Sequence, residues 1–252
     1  MLQYHFQNDP QLLGRKGSDF PLKRCCQADG CLVQGRQPRH AVITYIRTDA
    51  YLPLLQQLEC TVRKSNPWVE LGVMLVRGEL SEGVLAKVQA LNFTINYVEP
   101  LSYPNKYKSR FTYNWLKVRA FGLTDYDAIL LLDSDTAVIG DIQPLFSLPT
   151  DFAASWNQWP WQRQEGQQLL SHALRSPDLE QQMLEILTHD PKFRFEHGAA
   201  EQDFFDWYFH YTVMVLPLEW NVMASFSMEG GLTLGGVVPR IVHFTEASAV
   251  AP

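Results

Sequence analysis

The sequence predicts an α/β fold in which a mostly parallel central sheet is flanked by helices, and three observations carry that prediction. β-rich runs alternate with amphipathic helical runs from residue 40 to residue 133, the pattern of parallel strands joined by helical crossovers. The run "AILLLD", 128–133, is apolar at consecutive positions, as in a strand buried on both faces. With 252 residues, 46% of them hydrophobic, the chain can fill a substantial core.

Taken in order, residues 1–39 mix Gly, Pro, Arg, Lys and Gln without periodicity and read as an irregular lead-in; the folded domain runs from 40 to 252. "AVITYI", 41–46, is the first strand, and a strand-end loop then opens a helix at about Asp49. A second strand over 69–76, a second helix over 81–91 and a third strand over 93–99 follow. "TYNWLKVRAFGL", 112–123, reads as a helix, the turn "TDYD" comes next, and "AILLLD" is the fourth strand, with Asp133 and Asp135 at its carboxyl end. That end is where an α/β sheet places its ligand. Beyond 150 the pattern loosens, with helices expected over 178–187 and 200–211 and strands over 212–217 and 240–244; without an internal repeat, one domain is the simplest account.

The net charge of −6 argues against a general nucleic-acid binder, which needs a basic face. No stretch approaches the roughly 20 apolar residues of a membrane-spanning helix, and the first residues lack the apolar core of a signal peptide. These features read as a cytoplasmic chain, or as a Golgi-lumen protein if an upstream anchor has been removed. Cys25, Cys26, Cys31 and Cys60 contain no Cys-x-x-Cys pair and read as free thiols rather than a zinc site. Asn92-Phe93-Thr94 fits the glycosylation pattern, a triplet short enough to arise by chance.

Asp133 and Asp135, one residue apart at the mouth of a buried strand, repel each other, and a divalent cation would relieve the repulsion and bridge to phosphate oxygens. Read alone, the same triplet also describes a turn cap followed by a solvated acid.

The context resembles glycosyltransferase family 8, the glycogenin and galactinol-synthase group. The resemblance is carried by "ITYIRTDAY", by "LKVRAFGLTDYDAILLLDSDTAVIGDIQPLF", and then by "EQDFF", "LPLEWNV" and "VHF" in that order, covering about residues 40–245. It implies a GT-A fold, the Rossmann-like fold of nucleotide-diphospho-sugar transferases. It also implies transfer of a hexosyl group from a UDP-sugar, with retention, to an acceptor that is a carbohydrate, polyol or protein. Asp133, Asp135 and His243 would hold Mn²⁺ or Mg²⁺, with Ser134 between the acids; a lone His243 between Val242 and Phe244 would otherwise be a packed core residue. Lys117 matches the family lysine that faces the donor, and Arg119 could add to its charge, whereas Lys106, Lys108 and Arg110 read as a solvated loop. Thr44, Tyr45, Thr48, Asp49 and Tyr51 match the loop that embraces uridine; Tyr45 and Tyr51 also read as ordinary core or edge aromatics. Glu201, Gln202 and Asp203 would lie near the donor sugar or acceptor, with Gln202 and Asp203 in catalytic roles; Asp203 also reads as an acid at a helix start.

The chain departs from the family pattern in three places. Gln143-Pro144-Leu145-Phe146 stands for Asp-x-Leu-Phe, "RQEGQQLLSHALRSP" for an Asn-x-Gly entry, and the residues after His243 contain no Lys-Pro-Trp. A GT-A protein that binds nucleotide but is catalytically impaired is therefore a competing reading. A haloacid-dehalogenase-type phosphatase, with Asp133 as nucleophile, is a third. That fold puts its acidic pair on the first strand, whereas three strands precede Asp133 here.

Overall fold

The computed structural model describes residues 37–101, 109–150, 152–156, 167–168, 177–189, 201–210, 212–224 and 237–244. Most of the lead-in and three of the four cysteines lie outside them, as does most of the segment expected to carry the Asn-x-Gly entry; Cys60 is an exposed free thiol.

The alternation seen in the sequence becomes a four-stranded parallel sheet in the order β3-β2-β1-β4, built from β1 (His40–Tyr45), β2 (Glu70–Leu75), β3 (Thr94–Tyr97) and β4 (Ala128–Leu131). Its neighbours in register include Ile43 with Gly72 and Ile43 with Leu131. All four residues of β4 are buried, and they divide by side: Ala128 and Leu130 face one apolar cluster, Ile129 and Leu131 the other.

Helices cover both faces, giving three layers. On one face lie α1 (Leu52–Ser65) and α2 (Glu82–Ala90), with Leu52, Leu55, Leu58, Val62 and Val88 buried against the sheet. On the other lie α3 (Pro177–His189), α4 (Glu201–Tyr208) and a 3-10 helix at Ser109–Gly122, packed through an aromatic cluster. In that cluster Phe152 stacks on Phe209 with ring centroids 3.9 Å apart.

The segment expected as an α-helix over 112–123 is thus a longer 3-10 helix. With three residues per turn, it keeps Trp115, Val118 and Phe121 in one buried row and Asn114 and Lys117 in a second row beside it. Buried residues fall at 115, 116, 117, 118, 120 and 121, too closely spaced to separate a period of 3.0 from one of 3.6.

Past β4 the chain makes the short strand β5 (Thr136–Val138), which pairs antiparallel with β10 (Ile241–His243), itself parallel to β9 (Val222–Met223). A third small sheet joins β6 (Ala153–Trp156), β7 (Gln167–Gln168) and β8 (Met214–Leu216). The register His243 opposite Thr136 draws the C-terminal part of the domain back to the acidic pair. β5 is held on its far edge by α1: Thr61 Oγ1 accepts from Val138 N at 3.2 Å, and Ser65 Oγ donates to Val138 O at 3.0 Å. Asn66, just past that helix, is 1% exposed; it donates to Gly140 O at 2.9 Å and accepts from Ile142 N at 3.0 Å. Among the described residues no helix is long and apolar enough to cross a membrane.

Candidate metal and donor site

Leu132 N still bonds to Ile43 O, so Asp133 is the first residue past the ladder of the buried sheet. The next two residues turn the chain into β5, and Phe244 N donates to Asp135 O at 2.8 Å, fixing the late strand against the acidic pair. His243 Nε2 then lies 3.2 Å from Asp135 Oδ1 and 3.9 Å from Asp133 Oδ2. Asp133, Asp135 and His243 each offer one ligand atom, all within 4.8 Å of one another. The ring is 4% exposed, and its Nδ1 meets Asn221 Oδ1 at 3.3 Å.

Lys117 enters from the 3-10 helix, 3% exposed. Its Nζ donates to Asp133 Oδ2 at 3.2 Å and to Glu201 Oε1, on the first turn of α4, at 2.9 Å. It also lies 2.9 Å from Asp133 Oδ1, whereas Glu201 Oε2 is buried with no hydrogen-bond partner among the described residues. Burial disfavours the lysine's charge, but Asp133 and Glu201 outweigh it and hold its pKa well above the ordinary value. The Asp133 carboxyl, pushed up by burial, is pulled below its usual range by Lys117 and His243. Burial pushes Glu201 up, and Asp133 adds to that push against the pull of Lys117. One ammonium thus serves two carboxylates, each 2.9 Å away, whose carboxyls shift in opposite senses. A charged Lys117 is the state its geometry supports, with two carboxylates in direct reach.

Two carboxylate oxygens and an imidazole nitrogen form a donor set that suits a small hard divalent cation. The residues present therefore fit the group that the sequence implies.

Several solved glycosyltransferases share this architecture. The galactosyltransferase LgtC, in complex with donor and acceptor sugar analogs, matches with a TM-score of 0.58 at 18% identity, over 81% of this chain and 86% of that one. An active-site mutant of LgtC matches at 0.59 and 17%, over 84% and 88%. The glycosyltransferase GlyE of Streptococcus pneumoniae TIGR4 matches at 0.57 and 16%, over 81% of this chain but 55% of its own length. The fold is GT-A. No family model matches the chain, and no curated protein matches it in sequence. A GT-A architecture leaves no place for the haloacid-dehalogenase reading, since the acidic pair leaves the fourth strand rather than the first.

Within this GT-A domain the sequence-predicted residues separate into two groups. Asp133, Asp135, His243 and Lys117 converge, with Ser134 buried between the acids. Thr44 is buried at the end of β1, and its hydroxyl oxygen lacks a hydrogen-bond partner. Tyr45 joins the cluster: Lys117 Nζ lies 5.9 Å from its ring centre, and its hydroxyl donates to Asn114 Oδ1 at 3.3 Å. Burial raises its phenol well above the usual value, and the charges of Asp133, Glu201 and Asp135 add to the shift against Lys117.

Thr48, Asp49 and Tyr51 lie exposed on the turn after β1. Asp49 accepts from Ser81 N at 3.0 Å, and the Ser81 hydroxyl together with that backbone bond, at the start of α2, holds its carboxyl below the ordinary value. Gln202 and Asp203 are half-buried on α4, and the member of that trio bonded to Lys117 is Glu201. Arg119 turns away to Glu180 at 2.9 Å and to Glu99 O at 3.2 Å. Lys106 and Lys108 lie outside the described residues. Asn114 and Asn221 were not singled out from the sequence, where an asparagine beside a tryptophan carries no signal of its own.

Proposed function

We propose that this chain is a metal-dependent, retaining glycosyltransferase whose catalytic domain begins near His40 and which moves a hexosyl group from a UDP-sugar to a carbohydrate, polyol or protein acceptor. The observation that carries the reading is the convergence of Asp133, Asp135 and His243 within 4.8 Å at the carboxyl edge of a GT-A sheet. These three residues would hold Mn²⁺ or Mg²⁺, which supplies neutralisation of the charge on a departing diphosphate.

The protein's own groups do the rest. Lys117, charged and 4% exposed at its side chain, is a fixed cation beside the acids, placed to stabilise negative charge near the donor. Glu201 holds that ammonium in place. Thr44, Tyr45, Thr48, Asp49 and Tyr51 line the exit of β1 on the nucleoside side, where Tyr51 offers an exposed ring. Gln202 and Asp203, at the start of α4, face the developing positive charge at the anomeric carbon.

Release of UDP from a panel of UDP-sugars with Mn²⁺ tests the reading, and Asp133→Ala or Asp135→Ala should abolish it. A second reading, a GT-A protein that binds nucleotide without turnover, has one observation in its favour: "RQEGQQLLSHALRSP" stands where the family carries an Asn-x-Gly entry. On that reading UDP binds tightly in the presence of Mn²⁺ without turnover. UDP affinity indifferent to Mn²⁺ would sink both.

A further inference from the structure

An imidazole offers a metal only the nitrogen that carries no hydrogen, so whatever touches the other nitrogen selects the ligand atom. For His243 that contact is Asn221, which follows the 3-10 turn Leu218–Trp220 and directly precedes β9. Both side chains are buried, Asn221 at 3% exposure and His243 at 4%. Parallel pairing of β9 with β10, Val242 with Val222 and His243 with Met223, fixes the two backbones side by side.

Asn221 Oδ1 lies 3.3 Å from His243 Nδ1. A carbonyl oxygen can only accept, so the contact requires a hydrogen on Nδ1. Nε2, 3.2 Å from Asp135 Oδ1, is then the nitrogen whose lone pair faces the acids. The opposite tautomer would set the Nδ1 lone pair against the Asn221 oxygen inside the protein, where two unsatisfied acceptors are costly. It would also point a hydrogen at the place a cation would occupy.

We propose that Asn221 is a positioning residue that fixes His243 as the Nδ1–H tautomer and so presents Nε2 to a divalent cation shared with Asp133 and Asp135. The inference rests on the metal reading above: without a cation Nε2 would carry a hydrogen toward Asp135 Oδ1, so only the hydrogen on Nδ1 is expected in both the metal-free and the metal-loaded ring.

Protein labelled with ¹⁵N-histidine reports the tautomer directly, with the His243 signals assigned by their loss in His243→Gln. In the Mg²⁺-loaded wild type, Nδ1 should be protonated and Nε2 not. Asn221→Asp, whose carboxylate accepts the same hydrogen, should keep that pattern and a near-wild-type Mn²⁺ affinity. Asn221→Ala should lose the preference and bind Mn²⁺ roughly ten- to a hundred-fold more weakly, followed by electron paramagnetic resonance titration. A Mg²⁺-loaded wild-type ring protonated on Nε2 overturns the proposal, and it does so even where Asn221→Ala does not fold. So does an Asn221→Ala variant with unchanged tautomer and affinity. If wild type binds Mn²⁺ no better than His243→Gln, the metal reading fails and the presentation of Nε2 to a cation with it, while an Nδ1 without a hydrogen in the metal-free wild type separately overturns the role of Asn221.

Discussion

The ammonium of Lys117 lies 2.9 Å from Glu201, 84 positions further along the chain, with both side chains buried. The contact joins the 3-10 helix to α4 across the face of the sheet and leaves Lys117 one further partner, Asp133.

Removing the cation should therefore be costly. Lys117→Met leaves two carboxylates facing each other without compensation, and breaking a buried pair from one side costs about 3–5 kcal/mol. In a domain of this size each kcal/mol lowers Tm by about 2–4 °C. Lys117→Met combined with Glu201→Leu should regain part of the loss, because it removes the stranded charge along with its partner. Thermal denaturation of the two variants decides the point: a double variant no more stable than the single one means that Glu201 is not stranded.

Removal of a proposed metal ligand should act on cation affinity rather than on the fold. Asp135→Asn and His243→Gln are expected to weaken Mn²⁺ binding at least ten-fold, and on the proposed function a chelator should suppress UDP-sugar turnover until Mn²⁺ is restored. Isothermal titration with Mn²⁺ alone checks the first expectation without relying on activity.

The brace behind β5 should be visible in stability. Asn66→Ala strips partners from Ile142 N and Gly140 O, and a buried polar group left unsatisfied costs about 1–3 kcal/mol. Urea unfolding should show a lower midpoint with an unchanged slope.

The pair of Arg39 and Glu70 ties the start of β1 to β2, with Arg39 Nη2 2.7 Å from Glu70 Oε2. Hydrogen bonds from Arg39 hold the Glu70 carboxyl below its ordinary value, against the opposing effect of burial. A carboxyl whose pKa is depressed on folding stabilises the fold above its unfolded value and loses that contribution as pH falls through the folded one. Glu70→Gln should thus be less stable than wild type at pH 7, with the gap closing as pH drops below about 4.3. A gap that is constant across that range would show the ion pair to be without effect.

The legible parts of this molecule are those set by burial on a regular period. "AILLLD" reads as β4 because both faces of that strand are covered, and α1 and α2 fall within a few residues of their expected ends. β5 and β9 were not anticipated: at three and two residues they are too short to show a period, and pairing with β10 creates them. Asp133, Asp135 and His243 were legible through motif order, and the register of β5 on β10 supplies the physical reason they meet. Glu201 as the partner of Lys117 was not legible, because the contact depends on two helices packing over one face, which no local pattern encodes. At Asp49 the structure adds what the sequence did not show, a bond from Ser81 N at the start of α2 that ties the loop after β1 to that helix.

The sheet separates two apolar clusters, one under α1 and α2 and one rich in phenylalanine under the 3-10 helix, α3 and α4. Lys117 and Glu201 both rise from the second. Substitutions among Phe121, Phe152, Phe205 and Phe209 can therefore re-aim the cationic side of the site from beneath, while the brace of α1 on β5 keeps the acidic pair where it is. Evolution, or a protein engineer, has in this arrangement two separate controls: one for where a cation would be held, and another for the charged groups beside it.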